Sequence, residues 1–225
     1  MPNICSPNDN PDLKQIVDRT IALFAVYTGA TLSFFVKDFL FSDENLEKYV
    51  GLTDWLHYWG FWISLAVVAL LLRYIVGSAS HLNYVYIAKT TQKINPENKI
   101  VTDTQVLRST NICWLFVDIL FLIAFGILAV LITRATDSVA VVMTHSIYFI
   151  VAGMVWSLLA LLFRSSQQER FIAAVWLGVD FGQIVWTLVI LATPLDQLSQ
   201  AVILGISYLL FLWFDLYSLV RWMAG

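Results

Sequence analysis

The sequence predicts an all-α membrane protein whose six transmembrane helices are arranged as three helical hairpins. Hydrophobic residues make up 59 % of its 225 residues and charged residues only 13 %, whereas a soluble domain is roughly a quarter charged. The mean hydropathy is +0.75, so a soluble fold would expose apolar surface that it could not bury. The length suits one bundle rather than several domains.

Six apolar stretches approach the length of about 20 residues that a helix needs to cross the hydrocarbon core. Lys37 and Asp38 interrupt the first of them near its end. All five prolines lie outside the stretches, so we expect continuous helices rather than the broken helices of many secondary transporters. Residues 1–19 form a polar leader without the apolar core of a signal peptide. The predicted spans are residues 20–40, 55–72, 111–133, 139–163, 171–193 and 198–220.

The basic residues divide unevenly between the two sides of these spans. Ten of the 13 fall on the side of the N-terminus and only Lys37, Lys48 and Arg134 on the other. The positive-inside rule therefore predicts that both termini are cytoplasmic, and we expect the membrane to be a bacterial plasma membrane. The ten are Lys14, Arg19, Arg73, Lys89, Lys93, Lys99, Arg108, Arg164, Arg170 and Arg221.

Residues 73–108, between the second and third spans, form the longest cytoplasmic segment. Residues 73–91 keep helical apolar spacing but carry many polar side chains, which predicts that the second helix extends into the cytoplasm or lies along the interface. The pair Asn95–Pro96 predicts a turn. Tyr84, Tyr86 and the lysines of this segment offer a docking surface for a partner protein.

A weak internal repeat relates the third and fifth spans. Each is preceded by an arginine that is followed at +6 by tryptophan and at +10 by aspartate, and the motif WLxVD is shared. The even-numbered spans each end on an arginine, so arginine-to-arginine distances of 54, 56 and 51 residues define the three predicted hairpins. The matched residues are Arg108, Trp114 and Asp118 in one span and Arg170, Trp176 and Asp180 in the other, and the terminal arginines are Arg73, Arg164 and Arg221.

Apart from Asp38 near the end of the first span, three aspartates, Asp118, Asp180 and Asp215, lie inside predicted spans. Asp118 and Asp180 are about 15 Å from the arginines that begin their helices, given a rise of about 1.5 Å per residue. An ionised carboxylate at that depth costs at least about 2.5 kcal/mol, so it must be paired, protonated or in contact with water, and it is a functional-site hypothesis by default. The competing interpretation is structural, because the inner arginines can reach down to the carboxylates and Trp114 and Trp176 can cover them.

The fifth span carries the most informative pattern. Trp176, Asp180, Gln183 and Thr187 fall at i, i+4, i+7 and i+11, which places them on one polar stripe across the membrane. Gly178 and Gly182 form a small-xxx-small pair on the opposite face, where a neighbouring helix can pack closely. His57 and His145 are predicted to be isolated interfacial residues near the outer ends of the second and fourth spans, and His81 lies beyond the inner end of the second.

The favoured function is an ion channel or permeation pathway that an oligomer forms, with Asp118, Asp180, Gln183, Thr187 and Asp215 along the path. The first alternative is the solute-binding membrane subunit of a transporter. The second is a sensor or interaction subunit that acts through residues 73–108. No nucleotide-binding, metalloprotease or hydrolase motif is present, so we expect no enzyme activity, cofactor or metal. The expected partners are lipids, further copies of the chain and a cytoplasmic protein, but not nucleic acid.

Overall fold

The computed structural model describes residues 11–41, 49, 51–86, 90–94, 100–104, 112–135, 137–163 and 167–224. These residues contain seven α-helices, of which five are 23 to 28 residues long and strongly apolar. The helices are α1 (Pro11–Phe35), α2 (Leu52–Leu56), α3 (Trp59–Tyr86), α4 (Ile112–Arg134), α5 (Val139–Phe163), α6 (Gln167–Ala192) and α7 (Gln197–Ala224).

Helices α3 to α7 are each long and apolar enough to cross a membrane. Many of their large apolar side chains point away from the bundle, as Phe116, Leu162, Phe181 and Leu210 do. A soluble protein rarely exposes so much contiguous apolar surface, and lipid covers such side chains without cost. The chain is therefore a multi-pass membrane protein.

The predicted set of six spans is not confirmed in full. The fourth span coincides with α5 at both ends, whereas α1 is not among the helices that meet the length and hydropathy of a span. A single π-helical turn, Val36–Leu40, continues α1 at the position where the sequence introduces Lys37 and Asp38. It ends with a hydrogen bond of 3.0 Å from Phe41 N to Val36 O.

The second span is longer than predicted. Helix α3 continues beyond Arg73 to Tyr86, and its apolar part runs from Trp59 to Leu82. Arg73 is thus in the middle of a span and is buried, with 6 % of its surface exposed. The prediction that Arg73 marks the end of a span is wrong because a charged side chain was taken as the membrane boundary. When Arg73 is left out of the count, nine basic residues still lie on the side of the N-terminus and three on the other.

The three predicted hairpins are not confirmed as packing units. The most extensive contacts are α3 with α7 and α5 with α6, and each of these pairs joins helices from two different predicted hairpins. Helix α1 packs between α3 and α4, and α4 also packs against α5. Helices α6 and α7, although they are consecutive, contact each other much less. They form a seam in the bundle.

Gly205 allows the close approach of α3 and α7. A Cβ atom at this position would lie 2.8 Å from the main-chain oxygen of Trp62 and 3.2 Å from its ring. Only glycine accommodates two helix backbones at that separation. The crossing is followed by core residues from both helices, among them Ile63, Leu70 and Leu204, which are almost completely buried.

A β-hairpin between α3 and α4 was not predicted. Strand β1 (Thr90–Ile94) pairs in antiparallel fashion with β2 (Ile100–Thr104), with Thr90 opposite Thr104 and Ile94 opposite Ile100. Both strands are rich in β-branched residues, which favour extended backbone. The predicted all-α class is confirmed for the apolar part of the chain, and the turn predicted at Asn95–Pro96 lies outside the described residues.

Candidate functional site

Arg73 is the centre of a buried charged network. Its Nη2 lies 2.8 Å from Asp180 Oδ1 in α6, and its Nε donates a hydrogen bond to Asp215 Oδ2 in α7. The planar guanidinium presents several donors in a fixed geometry, which suits it to bind more than one acceptor. Two of the three predicted intramembrane aspartates therefore share a single cation. We call Arg73, Asp180 and Asp215 the charged centre.

Neutral groups complete the charged centre. Arg73 Nη1 donates to Gln183 Oε1, and the Tyr74 hydroxyl donates to Asp180 Oδ1 over 3.1 Å. The charged centre therefore joins α3 to both α6 and α7. Buried charges tolerate low dielectric only when such hydrogen bonds accompany the ion pair. One guanidinium against two carboxylates nevertheless leaves an excess negative charge.

Two buried polar atoms next to Arg73 lack hydrogen bonds. Asp215 Oδ1 has no partner in the described part of the chain. Gln183 Nε2 is buried near the Tyr208 hydroxyl but outside hydrogen-bonding geometry. Since buried polar groups are paired in most proteins, these two atoms mark places where a further polar group fits.

The polar stripe predicted on α6 faces the interior of the bundle. Asp180, Gln183 and Thr187 are all buried. The Thr187 hydroxyl lies 3.0 Å from that of Tyr208 in α7 and also donates to Gln183 O over 2.8 Å. Sequence analysis identified these three residues, and Tyr208 with Asp215 on a similar stripe of the sixth span, but not Tyr74, since an isolated tyrosine in an apolar helix gives no signal of its own.

Asp118 occupies a separate site. Its Oδ1 accepts a hydrogen bond of 2.9 Å from Trp156 Nε1 in α5, and its Oδ2 lies 3.9 Å from His81 Nε2 in α3. His81 is buried and packs edge-on against Trp156, with ring centroids 4.6 Å apart. The prediction that His81 lies beyond the inner end of the second span is wrong, because α3 stays inside the bundle beyond Arg73. Trp176 contacts Trp156 rather than covering Asp180 alone.

The other predicted charge partners lie away from the charged centre or are not described. Arg170 is exposed, and its Nε donates to Leu161 O over 3.0 Å. Trp114, at the start of α4, packs near Phe163 at the end of α5. Arg108 and Arg164 lie outside the described residues, as does the side chain of Arg221.

The glycine pair on α6 faces open space among the described residues. A Cβ atom added at Gly178 or Gly182 would meet nothing within 4 Å. The close helix contact predicted on this face is therefore absent from the described part of a single chain.

A cavity of about 40 Å³ adjoins the charged centre. It has room for about two or three water molecules, because one water needs at least about 10–15 Å³ of such space. Its lining comes from α3 to α7 and includes Asp180, Asp215, Ser78 and Ser157 together with Trp156 and Trp176. Polar groups thus meet aromatic walls inside the bundle.

The cavity is confined to one half of the bundle. Trp62 and Arg73 of α3 contact Gly205 and Asp215 of α7 in the same order along the chain, so the two helices run parallel. Helix α5 runs in the same direction, since Tyr74 and His81 contact its Phe149 and Trp156. The C-terminal ends of α3, α5 and α7 therefore lie together, and we call this the inner half. The lining residues of α3, α5 and α7 are 73–78, 153–157 and 212–216, at or beyond the midpoint of each helix. In the outer half, Ile63, Val67, Met143, Ile150 and Leu204 are at most 1 % exposed. The cavity therefore has a closed outer end.

Comparison of the chain with models of protein families, with curated proteins and with solved structures finds no match. The assignment of the site therefore depends on its geometry.

Proposed function

We propose that the protein is a cation transport protein and that the charged centre is its binding site, reached from the inner half. The observation that carries the proposal is that two carboxylates share one guanidinium beside a cavity with a closed outer end. The excess negative charge in a low-dielectric interior is compensated when a cation or a proton binds. Binding sites near the middle of the membrane are typical of transporters.

This proposal is closer to the solute-binding alternative than to the prediction of an open oligomeric pore. Asp180, Gln183 and Thr187 face other helices of the same chain, so they do not line a path between subunits. Passage through the centre of the bundle requires the Arg73 contacts and the outer core to open. A carrier that exposes the site to one side at a time meets that requirement, whereas the oligomeric channel predicted from the sequence stays the second candidate.

We further propose that α1 is the sixth span and that both termini are cytoplasmic. Thr28 and Phe35 of α1 are buried against the bundle, while Leu23, Val26 and Phe34 are exposed on the opposite side. Such an apolar outward face suits a helix surrounded by lipid. Reporter enzymes that are active on only one side of the membrane, fused to the N-terminus and to residue 41, should report opposite sides. Identical sides for both fusions would exclude a spanning α1.

The test of transport uses purified protein in liposomes. Uptake of protons, sodium and a tritiated organic amine is measured for the native chain and for Asp180→Asn and Asp215→Asn, with elution from size-exclusion chromatography as the measure of folding. Saturable uptake that both variants lose supports the proposal. The matched control is Asp137→Asn, since Asp137 is exposed between α4 and α5.

Three results would overturn the carrier proposal. The first is the absence of flux for every cation, and the second is unchanged flux in two folded variants. The third is flux that rises linearly without saturation, which would favour the channel. If transport requires a second protein that co-purifies with the chain, the predicted role as an interaction subunit is favoured instead.

A further inference from the structure

The walls of the cavity are unusually aromatic for a charged site. The rings of Trp156 and Trp176 lie 5.5 Å apart at 35°, and Tyr74 packs on Phe125 with centroids 5.0 Å apart. All four residues line the cavity. The faces of such rings attract organic cations, and aromatic cages are the common means of binding quaternary ammonium groups.

The oxygen atoms of the cavity are a poor cage for a metal ion. Asp180 Oδ1 and Asp215 Oδ2 already bind Arg73, and Asp215 Oδ1 is a buried carboxylate oxygen without a hydrogen bond in the described residues. Calcium takes six to eight oxygen ligands, at about 2.3–2.6 Å. Across the described residues there is no group of three His, Cys, Asp or Glu side chains that is able to hold a metal.

Glycine positions leave the aromatic residues room to enter the cavity. A Cβ atom at Gly77 would lie 3.4 Å from the ring of Trp176, and one at Gly153 would lie 2.3 Å from the Tyr74 hydroxyl. Trp156 is held by its hydrogen bond to Asp118. The second aspartate site therefore has a positioning role, since it orients one wall of the cavity.

We propose that the cavity binds a small monovalent organic ammonium ion, with Asp215 as its counter-ion and Trp156 and Trp176 as its aromatic walls. The inference rests on the proposed cation transport and names its substrate class. An ammonium ion beside Asp215 Oδ1 restores neutrality to the charged centre. The methyl or methylene groups around the nitrogen then contact the aromatic rings and Leu212.

Two sources can supply this chemistry, and they would reach the cavity by different routes. The two helices are tied at their connected end, where Gln200 Nε2 donates to Thr193 O over 3.2 Å. At the cavity, Asp180 and Asp215 are joined through Arg73 of α3. A lipid headgroup can enter sideways at such a seam, whereas a free amine enters from water at the inner end.

The test is equilibrium binding of tritiated choline to the full chain in nanodiscs of phosphatidylglycerol, a lipid without an ammonium group. Saturable binding is expected, with no competition from the neutral analogue in which carbon replaces the choline nitrogen. Trp176→Phe should weaken binding by about threefold to thirtyfold, and Asp215→Asn by at least about tenfold, since it removes the counter-ion. Trp213→Phe is the matched control because Trp213 is exposed on α7.

Each further result decides the proposal. In nanodiscs of phosphatidylcholine, loss of choline binding identifies the lipid headgroup as the source, and unchanged binding identifies the free amine. Equal competition by the neutral analogue, or equal binding to folded Trp176→Phe and native protein, overturns the ammonium assignment. Sodium binding that Asp215→Asn abolishes, without choline binding, overturns the substrate class but leaves cation transport. No binding of any cation overturns both.

Discussion

Arg73 Nη2 and Asp180 Oδ1 lie 2.8 Å apart in the middle of the bundle, and this contact connects α3 to α6. The same guanidinium binds Asp215 in α7. Because α6 and α7 contact each other little, the charged centre is a main link between the α3–α7 pair and the α5–α6 pair. Because two carboxylates share one guanidinium, the three charged residues should contribute unequally to the stability of the bundle.

Replacement of Arg73 should cost more stability than replacement of either aspartate. Arg73→Met leaves two carboxylates in the bundle without a cation, and breaking a buried pair in this way costs about 3–5 kcal/mol. Asp180→Asn or Asp215→Asn leaves a balanced pair, so we expect a loss of only about 1–2 kcal/mol. Thermal unfolding midpoints in detergent, measured by tryptophan fluorescence, should follow this order.

The control for this series is Arg134→Met, because Arg134 is exposed at the end of α4. An Arg134→Met midpoint equal to that of the native chain shows that the assay reports the charged centre. If Arg73→Met were no less stable than Asp180→Asn, the proposed excess of negative charge would be incorrect.

The helices were largely predictable from the sequence, whereas the partners of the charged residues were not. Apolar stretches identify α3 to α7 because hydrophobic length is a local property. The stripe on α6 was also local, since helical periodicity places Asp180, Gln183 and Thr187 on one face. Arg73 was misplaced because its stabilisation comes from α6 and α7, far away in the chain. Its one local signal was the helical apolar spacing that continues beyond it.

Gly153→Ala should disturb the charged centre although Gly153 carries no charge. The new Cβ would lie 2.3 Å from the Tyr74 hydroxyl, so Tyr74 must move and lose its hydrogen bond to Asp180. Overpacking of this kind typically costs about 1–3 kcal/mol. The measurement is again the thermal unfolding midpoint, combined with cation uptake in liposomes.

The matched control for Gly153→Ala is Gly178→Ala. An added Cβ at Gly178 meets nothing within 4 Å, and alanine favours a helix over glycine by about 1 kcal/mol. We expect this variant to be as stable as the native chain or slightly more so. A strong loss of stability in Gly178→Ala would reveal a partner helix on that face of α6.

Gly205→Ala tests the packing of α3 against α7. The Cβ atom would come within 2.8 Å of Trp62 O, and because that atom belongs to the backbone, the two helices must separate. We expect a lower unfolding midpoint and a rise in the exposure of Trp62, seen as quenching by a water-soluble or lipid-bound quencher. Gly182→Ala, where the added atom meets nothing, is the control. Equal midpoints for the two variants would contradict the close crossing.

Asp118→Asn should separate the positioning role of Asp118 from binding of the cation that we propose the protein transports. The asparagine oxygen still accepts the hydrogen bond from Trp156 Nε1, which spans 2.9 Å in the native chain, so the indole keeps its place in the cavity wall. We therefore expect cation uptake per folded molecule to stay within about twofold of the native value, whereas Asp118→Leu, which removes the acceptor, should reduce the apparent affinity for choline. The measurement compares KM and the maximal rate for both variants in liposomes.

A positioning role requires that Asp118→Asn keeps the native affinity for choline and that Asp118→Leu does not. Equal loss of the maximal rate in both variants would instead place the Asp118 charge on the transport path, as the sequence alone first suggested.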